Sequence, residues 1–154
     1  MTSRERILAA LNHREPDRVP FDMGSTQVTG ITVKAYVNLR RHLGLPPVEP
    51  TIPDTIQQLA LPDDDLVEQW GIDVRGLFPL NAHNWNVVNE DAGDYWQYTD
   101  EWGITYHMPK EEGLYYTIVR SPLPGFSTSP QEIAAHTWPD CGDPQRIEGL
   151  RAQA

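Results

Sequence analysis

Two prolines near the N-terminus, Pro16 and Pro20, most constrain how this 154-residue chain can begin to fold. Residues 2–13, TSRERILAALNH, repeat apolar side chains at the 3.6-residue period of a helix. Thr2 lies three residues before Glu5, which is the spacing of a helix capping box. Because proline lacks an N–H and disfavours helical angles in the residue before it, the pattern predicts a helix that ends near residue 13.

The predicted first helix has one apolar face. Ile7, Ala10 and Leu11 share that face, whereas Arg4 and Arg6 belong to the polar side and are expected in solvent. The helix is therefore predicted to be amphipathic.

The sequence RVPFDM, after the proline turn, predicts a buried strand at Val19–Met23. The following GSTQVTG combines two glycines with hydroxyl and amide side chains at the strand's carboxyl end, where barrels and open α/β folds place their sites. The candidate substrate-binding residues of this loop are Asp22, Ser25, Thr26 and Gln27. An equally weighted interpretation is that Asp22 and Ser25 satisfy the backbone of their own loop.

Residues 31–80 predict two further helices and a second strand. ITVKAYVNLRRHLGLPP carries an apolar stripe and a terminating Gly44, and PDDDLVEQWG begins with aspartates and ends at Gly71. IDVRGLFPL then predicts a second buried strand at Asp73–Phe78. The order helix, strand, helix, helix, strand predicts parallel strands joined by helical crossovers.

Three consecutive aspartates, Asp63, Asp64 and Asp65, open the third predicted helix. Carboxylates in a first helical turn are favoured by capping and by the helix dipole. This role is preferred over the alternative of a metal-binding cluster.

From Asn81 to Val119, short aromatic and β-branched runs separated by turn residues predict two or three antiparallel strands joined by hairpins. The aromatic residues between positions 95 and 116 are Tyr95, Trp96, Tyr98, Trp102, Tyr106, Tyr115 and Tyr116. Packing of these rings across strands is favoured over a ring-binding pocket. Asn81 and His83 follow the second predicted strand and complete the candidate substrate-binding set. For His83, a place at the mouth of a barrel competes with the more favoured interpretation of a solvated loop histidine.

The last part of the chain predicts a proline-rich loop, RSPLPGFSTSP, and two helices. SPQEIAAH begins a helix capped by Ser129, with Pro130 in the first turn and Glu132 as the capping-box partner. PQRIEGLRAQA begins a further helix with apolar residues at helical spacing.

Charge and cysteine content exclude several classes of function. With 12 Lys and Arg against 22 Asp and Glu, the net charge of −10 disfavours nucleic acid and anionic membranes as partners. The single Cys141 cannot form an internal disulfide or a CxxC pair, and it is expected as an exposed loop thiol. No apolar segment has the length of a signal peptide or a membrane span, so a cytoplasmic location is expected.

Five ordered segments carry a resemblance to a known family. They are RERILAALNHREPDRVPFDMG, YVNLRRHLGLP, WGIDVRGLFP, YTDEWGITYHM and WPDCGDPQRIEGLRAQA. Together they resemble the uroporphyrinogen decarboxylase superfamily, especially its decarboxylase-like and corrinoid-dependent methyltransferase branch. The resemblance implies an α/β fold, the N-terminal part of a (β/α)8 TIM barrel with a β-hairpin-rich insertion, incomplete in this chain. It implies one partial domain: a lead-in at 1–17, the first two strands and helices at 18–80, a β-rich excursion at 81–120, and a loop with the next helices at 121–154.

The sequence departs from the true decarboxylases at two places. In those enzymes an arginine-rich segment follows strand one and binds the acidic side chains of the porphyrinogen, but here Met23 is followed by GSTQVTG, which has no cation. The decarboxylases end strand two with an aspartate that holds the pyrrole N–H groups. When Phe78 is aligned with the family's phenylalanine, Leu80 occupies the position of that aspartate. Both departures count against decarboxylation of uroporphyrinogen.

The resemblance therefore implies a parent enzyme that is a zinc- and corrinoid-dependent methyltransferase, acting on a small molecule or a corrinoid protein. In that branch a His, Cys, Cys set in the second half of the barrel holds the zinc, so no metal or cofactor is expected on this segment and its catalytic residues are unknown. The isolated chain is expected to be inactive. One alternative is uroporphyrinogen decarboxylase, a carboxy-lyase of porphyrin and heme biosynthesis. Another is a non-catalytic interaction module that forms homo-oligomers through exposed barrel edges.

Overall fold

The computed structural model describes residues 1–123, 125 and 128–154, which form two compact units, Met1–Leu77 and Phe78–Ala154. The fold is mixed α/β with two antiparallel sheets, and the described residues form no closed barrel. Within the described part of the chain, no helix combines the length and the apolar character needed to cross a bilayer.

The first unit contains three helices and a two-stranded sheet. They are α1 (Ser3–Leu11), β1 (Ile31–Thr32), α2 (Val33–His42), β2 (Leu59–Ala60) and α3 (Asp64–Trp70). The capping box at Thr2 and Glu5 is present, and α3 ends at a left-handed Gly71, so the predicted helix ends are confirmed. The pairing of β1 with β2 is antiparallel and was not predicted, since each strand has only two residues.

The buried face of α1 differs from the predicted one. Arg6 and Ala9 are buried, whereas Leu11 is 71% exposed, so the expectation that Arg6 lies in solvent was wrong. The guanidinium of Arg6 is buried because two carboxylates, Asp17 and Asp73, accept its hydrogen bonds. A period of apolar residues cannot reveal a cation that is buried by pairing.

The core of the first unit consists of Tyr36, Ala60 and Leu66. Tyr36 is fully buried, and its hydroxyl donates to Oδ2 of Asp63 at 2.5 Å. Arg40 of α2 donates to the same carboxylate and to Asp65, so two of the three consecutive aspartates join α2 to α3.

The two predicted barrel strands, Val19–Met23 and Asp73–Phe78, do not form, and this prediction was wrong. Val19 is 82% exposed, and one backbone hydrogen bond joins the two segments, from the Asp73 N–H to the Phe21 carbonyl at 2.8 Å. The Phe21 N–H donates to the Asp73 carboxylate instead of to a neighbouring strand, and Pro20 has no N–H to donate. No ladder therefore forms between the two segments in this structure.

The second unit is built on a four-stranded antiparallel sheet in the order β3 (Glu90–Ala92), β4 (Tyr95–Thr99), β5 (Thr105–Pro109) and β6 (Thr117–Arg120). The prediction of antiparallel hairpins is confirmed, with one strand more than expected. Tyr98 and Tyr106 stack at 4.9 Å between ring centroids, and Tyr116 meets Tyr98 edge-on at 4.8 Å. These three rings form the core of the unit, as the favoured interpretation of the aromatic residues predicted.

Two helices and one 3-10 helix follow the sheet: α4 (Pro130–Ala135), the 3-10 helix Pro144–Ile147 and α5 (Leu150–Gln153). The capping box of α4 at Ser129 and Glu132 is confirmed. The single helix predicted from PQRIEGLRAQA is interrupted, because Gly149 takes a left-handed conformation with φ of 77°. Of the predicted proline-rich loop, Pro124, Phe126 and Ser127 lie outside the described residues. Cys141 is an exposed thiol, as expected.

Candidate functional site

The loop that contains the first four candidate residues closes on itself. Ser25 donates to Asp22 through its backbone N–H, at 3.1 Å, and through its hydroxyl, at 2.7 Å. Both contacts join the Asp22 carboxylate to a residue three positions later, so this carboxylate holds its own loop. The binding role of Asp22 and Ser25 stays a prediction.

Gly24 fixes the path of this loop. Its φ is 91°, and its N–H donates to the Thr29 carbonyl at 3.0 Å. A Cβ at this position would lie 2.5 Å from Cδ of Pro62, closer than two carbon atoms can approach. Only glycine therefore allows the loop to pass over Pro62.

Thr26 and Gln27 lie at the exposed end of the loop. The Thr26 hydroxyl lies 3.1 Å from the Thr29 hydroxyl, and the Gln27 carbonyl accepts from the Gln57 side-chain amide at 3.1 Å. The Gln27 side chain is in solvent. Gln27 therefore offers a side-chain amide that the loop's own hydrogen bonds do not use.

Two arginines, Arg6 and Arg18, are paired with the carboxylate of Asp73. Arg6 and Arg18 place guanidinium nitrogens 2.5 and 2.6 Å from the two oxygens of this carboxylate, whose side chain has no exposed surface. Burial by itself would raise the pKa of Asp73. Hydrogen bonds from the Phe21 N–H, from Ser3 and from the two arginines outweigh it and lower the pKa to about 2. Asp73 is therefore ionised at neutral pH and pairs with both arginines, while Asp17 is a second counter-ion of Arg6.

Asn81 and His83, the other two candidates, belong to the second unit. Asn81 is exposed, and its carbonyl accepts from the Gln145 side-chain amide at 3.3 Å. His83 is held more firmly, because both its backbone N–H, at 2.9 Å, and its Nδ1, at 2.5 Å, contact Oδ2 of Asp143. The binding role of these two residues also stays a prediction.

Asp143 is a buried anchor that the sequence analysis missed. Its side chain is 3% exposed, and its Oδ1 accepts from the Gln145 N–H at 2.9 Å, which caps the 3-10 helix. Hydrogen bonds from the backbone N–H groups of His83 and Gln145, and then from the His83 ring, lower the pKa of Asp143 to about 2. The signal for the cap was present, since an aspartate directly before Pro144 is a typical helix start. Its contact with His83, sixty residues away in sequence, had no local signal.

An open depression of about 560 Å³ lies beside this pair. It is lined by His83, Asp140, Asp143, Pro144, Gln145, Ile147 and Glu148. The His83 side chain is 69% exposed, so the ring is held at one nitrogen and accessible at the other. The structure thus presents two separate candidate sites, the loop at residues 22–29 and the His83 depression.

The zinc that the resemblance implies would be held by the second half of the barrel and not by the residues described here. Among residues 1–123, 125 and 128–154, no group of three or more His, Cys, Asp or Glu side chains is placed to hold a metal ion. The three consecutive aspartates pair with arginines instead, Asp63 and Asp65 with Arg40 and Asp64 with Arg75. No chemical step is therefore assigned to a metal on these residues.

No protein-family model, curated protein or solved structure matches this chain.

Proposed function

We propose that residues 1–154 form the N-terminal part of a uroporphyrinogen decarboxylase-superfamily barrel, and that the parent protein is a cytoplasmic zinc- and corrinoid-dependent methyltransferase. The five ordered segments quoted above are the basis of the family assignment. The choice of chemistry within the family depends on the loop at residues 22–29.

The observation that carries the proposal is the composition of this loop, which has no basic side chain of its own. The loop exposes hydroxyls and amides, from Thr26 and Gln27 among others, and contains no Lys, Arg or His. Arg6 and Arg18 are paired with Asp73. A porphyrinogen carries many carboxylates, which need charge-assisted donors. A polar loop whose one charged side chain is the Asp22 carboxylate suits a neutral substrate edge or a cofactor amide better than a polyanion.

A second observation is compatible with a barrel origin. The segments that the resemblance assigns to the first two strands are joined by one backbone hydrogen bond, from the Asp73 N–H to the Phe21 carbonyl. Neighbouring parallel strands of a barrel make contacts of this kind in greater number. Further strands would supply the partners that these two segments lack here.

The decisive experiment assays the complete open reading frame that contains residues 1–154. One assay follows methyl transfer from methylcobalamin to a thiol by the change in the cobalamin absorption spectrum. The other follows conversion of uroporphyrinogen to coproporphyrinogen by chromatography. Methyl transfer with bound zinc supports the proposal, and porphyrinogen decarboxylation overturns it.

A matched pair of variants tests the loop in the same protein. Gln27→Ala removes an exposed amide, while Val28→Ala removes an exposed apolar side chain from the next position, which is 76% exposed. We expect the first to lower kcat/KM about tenfold, as the loss of one hydrogen bond in the transition state does, and the second to leave it unchanged. Equal effects would show that Gln27 has no specific role.

A non-catalytic interaction module is the second candidate function, favoured by the edge strand β6. All four of its residues are exposed, and Ile118 and Val119 are 61% and 50% exposed. An apolar sheet edge of this kind pairs readily with another chain. Sedimentation of the purified chain distinguishes the two cases, because a module of this class forms a defined homo-oligomer and an orphaned barrel segment aggregates.

A further inference from the structure

The donor and the acceptor can be assigned in the hydrogen bond between His83 and Asp143. An ionised carboxylate can only accept hydrogen bonds, and Oδ2 of Asp143 lies 2.5 Å from Nδ1 of His83. Nδ1 must therefore carry the proton. In a neutral ring, this leaves Nε2 as the nitrogen with a free lone pair.

The geometry points to a proton-transfer site at His83. We propose that Asp143 holds the ring as the Nδ1–H tautomer, and that Nε2 accepts a proton from a neutral hydroxyl or thiol of a small molecule bound in the adjoining depression. In this step the O–H or S–H bond of the ligand breaks, a bond forms between Nε2 and hydrogen, and the electron pair stays on oxygen or sulfur. The resulting imidazolium faces the buried carboxylate, which stabilises its charge.

Three features go beyond what a structural cap requires. Capping of the 3-10 helix uses Oδ1 of Asp143, through the Gln145 N–H, and leaves Oδ2 for His83. Oδ2 contacts both the backbone and the ring of His83, so the orientation of the ring relative to its own backbone is fixed. The ring nevertheless remains 69% exposed and lines the depression.

The charges around the depression define the class of ligand. Asp140, Asp143 and Glu148 line it, while the nearby guanidinium of Arg146 donates to both oxygens of Glu101. An anionic ligand would meet carboxylates without an available cation. A volume of about 560 Å³ is in the range of small-molecule sites, so a neutral or cationic small molecule fits.

The tautomer of His83 is measured first, on the unmodified chain, by long-range proton–nitrogen correlation NMR at neutral pH. We expect a proton on Nδ1 and none on Nε2. A ring with its proton on Nε2, or with protons on both nitrogens, overturns the proposal. This measurement requires no variant to fold.

Reactivity is measured next with p-nitrophenyl acetate, in which Nε2 accepts a proton from water, the water oxygen attacks the ester carbonyl, and p-nitrophenolate leaves. We expect His83→Gln to lower the rate of p-nitrophenolate release by about 100-fold, the lower end for a positioned acid–base group. The control His42→Gln changes an exposed histidine of α2 and should retain the full rate. Equal rates for the unmodified chain and His83→Gln overturn the proposal, even with the expected tautomer.

Asp143→Asn tests the positioning role. Circular dichroism first confirms that this variant is folded, and the tautomer and ester rate are then measured as above. We expect the Nδ1–H tautomer and the rate enhancement to be lost together, while retention of both would show that Asp143 does not orient the ring. The inference does not rest on the proposed methyltransferase function, because both measurements use this chain without corrinoid, zinc or porphyrinogen.

Discussion

Nη1 of Arg6 lies 2.5 Å from Oδ1 of Asp73, whose side chain has no exposed surface. Removing Asp73 leaves the buried Arg6 with Asp17, a carboxylate that is 42% exposed, as its remaining counter-ion. We therefore expect Asp73→Asn to lower the free energy of unfolding by about 3 kcal/mol. Urea denaturation followed by circular dichroism measures it.

Asp64→Asn is the matched control for that substitution. Asp64 also pairs with an arginine, Arg75, but the two side chains are 77% and 61% exposed. We expect a change of less than about 0.5 kcal/mol, because exposed ion pairs contribute little. Similar losses of stability for both variants would contradict the conclusion that burial makes the Arg6–Asp73 pair the stronger one.

Acid should destabilise both units over the same pH range. The pKa values of Asp73 and Asp143 are about 2 in the folded chain, below their ordinary value of 3.8. Each folded pKa is lower than the unfolded one, so the stabilisation is fully present well above 3.8 and is lost as protons bind. We expect the urea midpoint to fall between about pH 5 and pH 1. A constant midpoint over this range would contradict the prediction, and Asp73→Asn should show a smaller dependence.

Leu66 tests the core of the first unit. It is fully buried beside Tyr36 and Ala60, so Leu66→Ala leaves a cavity and should cost about 3 kcal/mol of stability. Leu77→Ala, at a position 52% exposed in the same unit, should change the stability by less than about 0.5 kcal/mol. Thermal unfolding compares the two, and the reverse order of stability would contradict the assigned core.

Gly24 tests the geometry of the candidate loop. Gly24→Ala combines a positive φ with a Cβ that would lie 2.5 Å from Pro62, and it should cost about 3 kcal/mol or more. Gly44→Ala also has a positive φ, but no atom lies within 4 Å of the added Cβ, so a loss of about 1 kcal/mol is expected. Equal losses in urea denaturation would show that the loop moves freely away from Pro62.

The parts of the fold that sequence predicted correctly are those set by neighbouring residues. The capping boxes at Thr2 and Ser129 and the left-handed end of α3 at Gly71 each depend on residues within one turn. The hairpins between residues 90 and 120 depend on turn residues and alternating aromatic side chains. Structures set by such local signals do not depend on contacts with distant parts of the chain.

The errors concern contacts that are distant in sequence. Arg6 reads as a solvated residue, but it is buried by Asp73, sixty-seven positions away. The sequence of Val19–Met23 predicts a buried strand. A strand forms only when a neighbouring strand pairs with its backbone, but the Phe21 N–H donates to the side chain of Asp73. For the same reason His83 was recognised as a candidate, while its partner Asp143 was not.

The connectivity of the second unit has a consequence for how it folds. Strands β3 to β6 pair in chain order, so each pairing closes only a short loop, whereas His83 and Asp143 are sixty residues apart. Short loops close with a smaller loss of chain entropy and form faster. The Tyr106 amide should therefore gain protection before the His83 amide in pulsed hydrogen exchange. The ring of His83 would then meet the carboxylate that orients it only after the sheet has formed. The proposed proton transfer would therefore be absent from folding intermediates that contain the sheet alone.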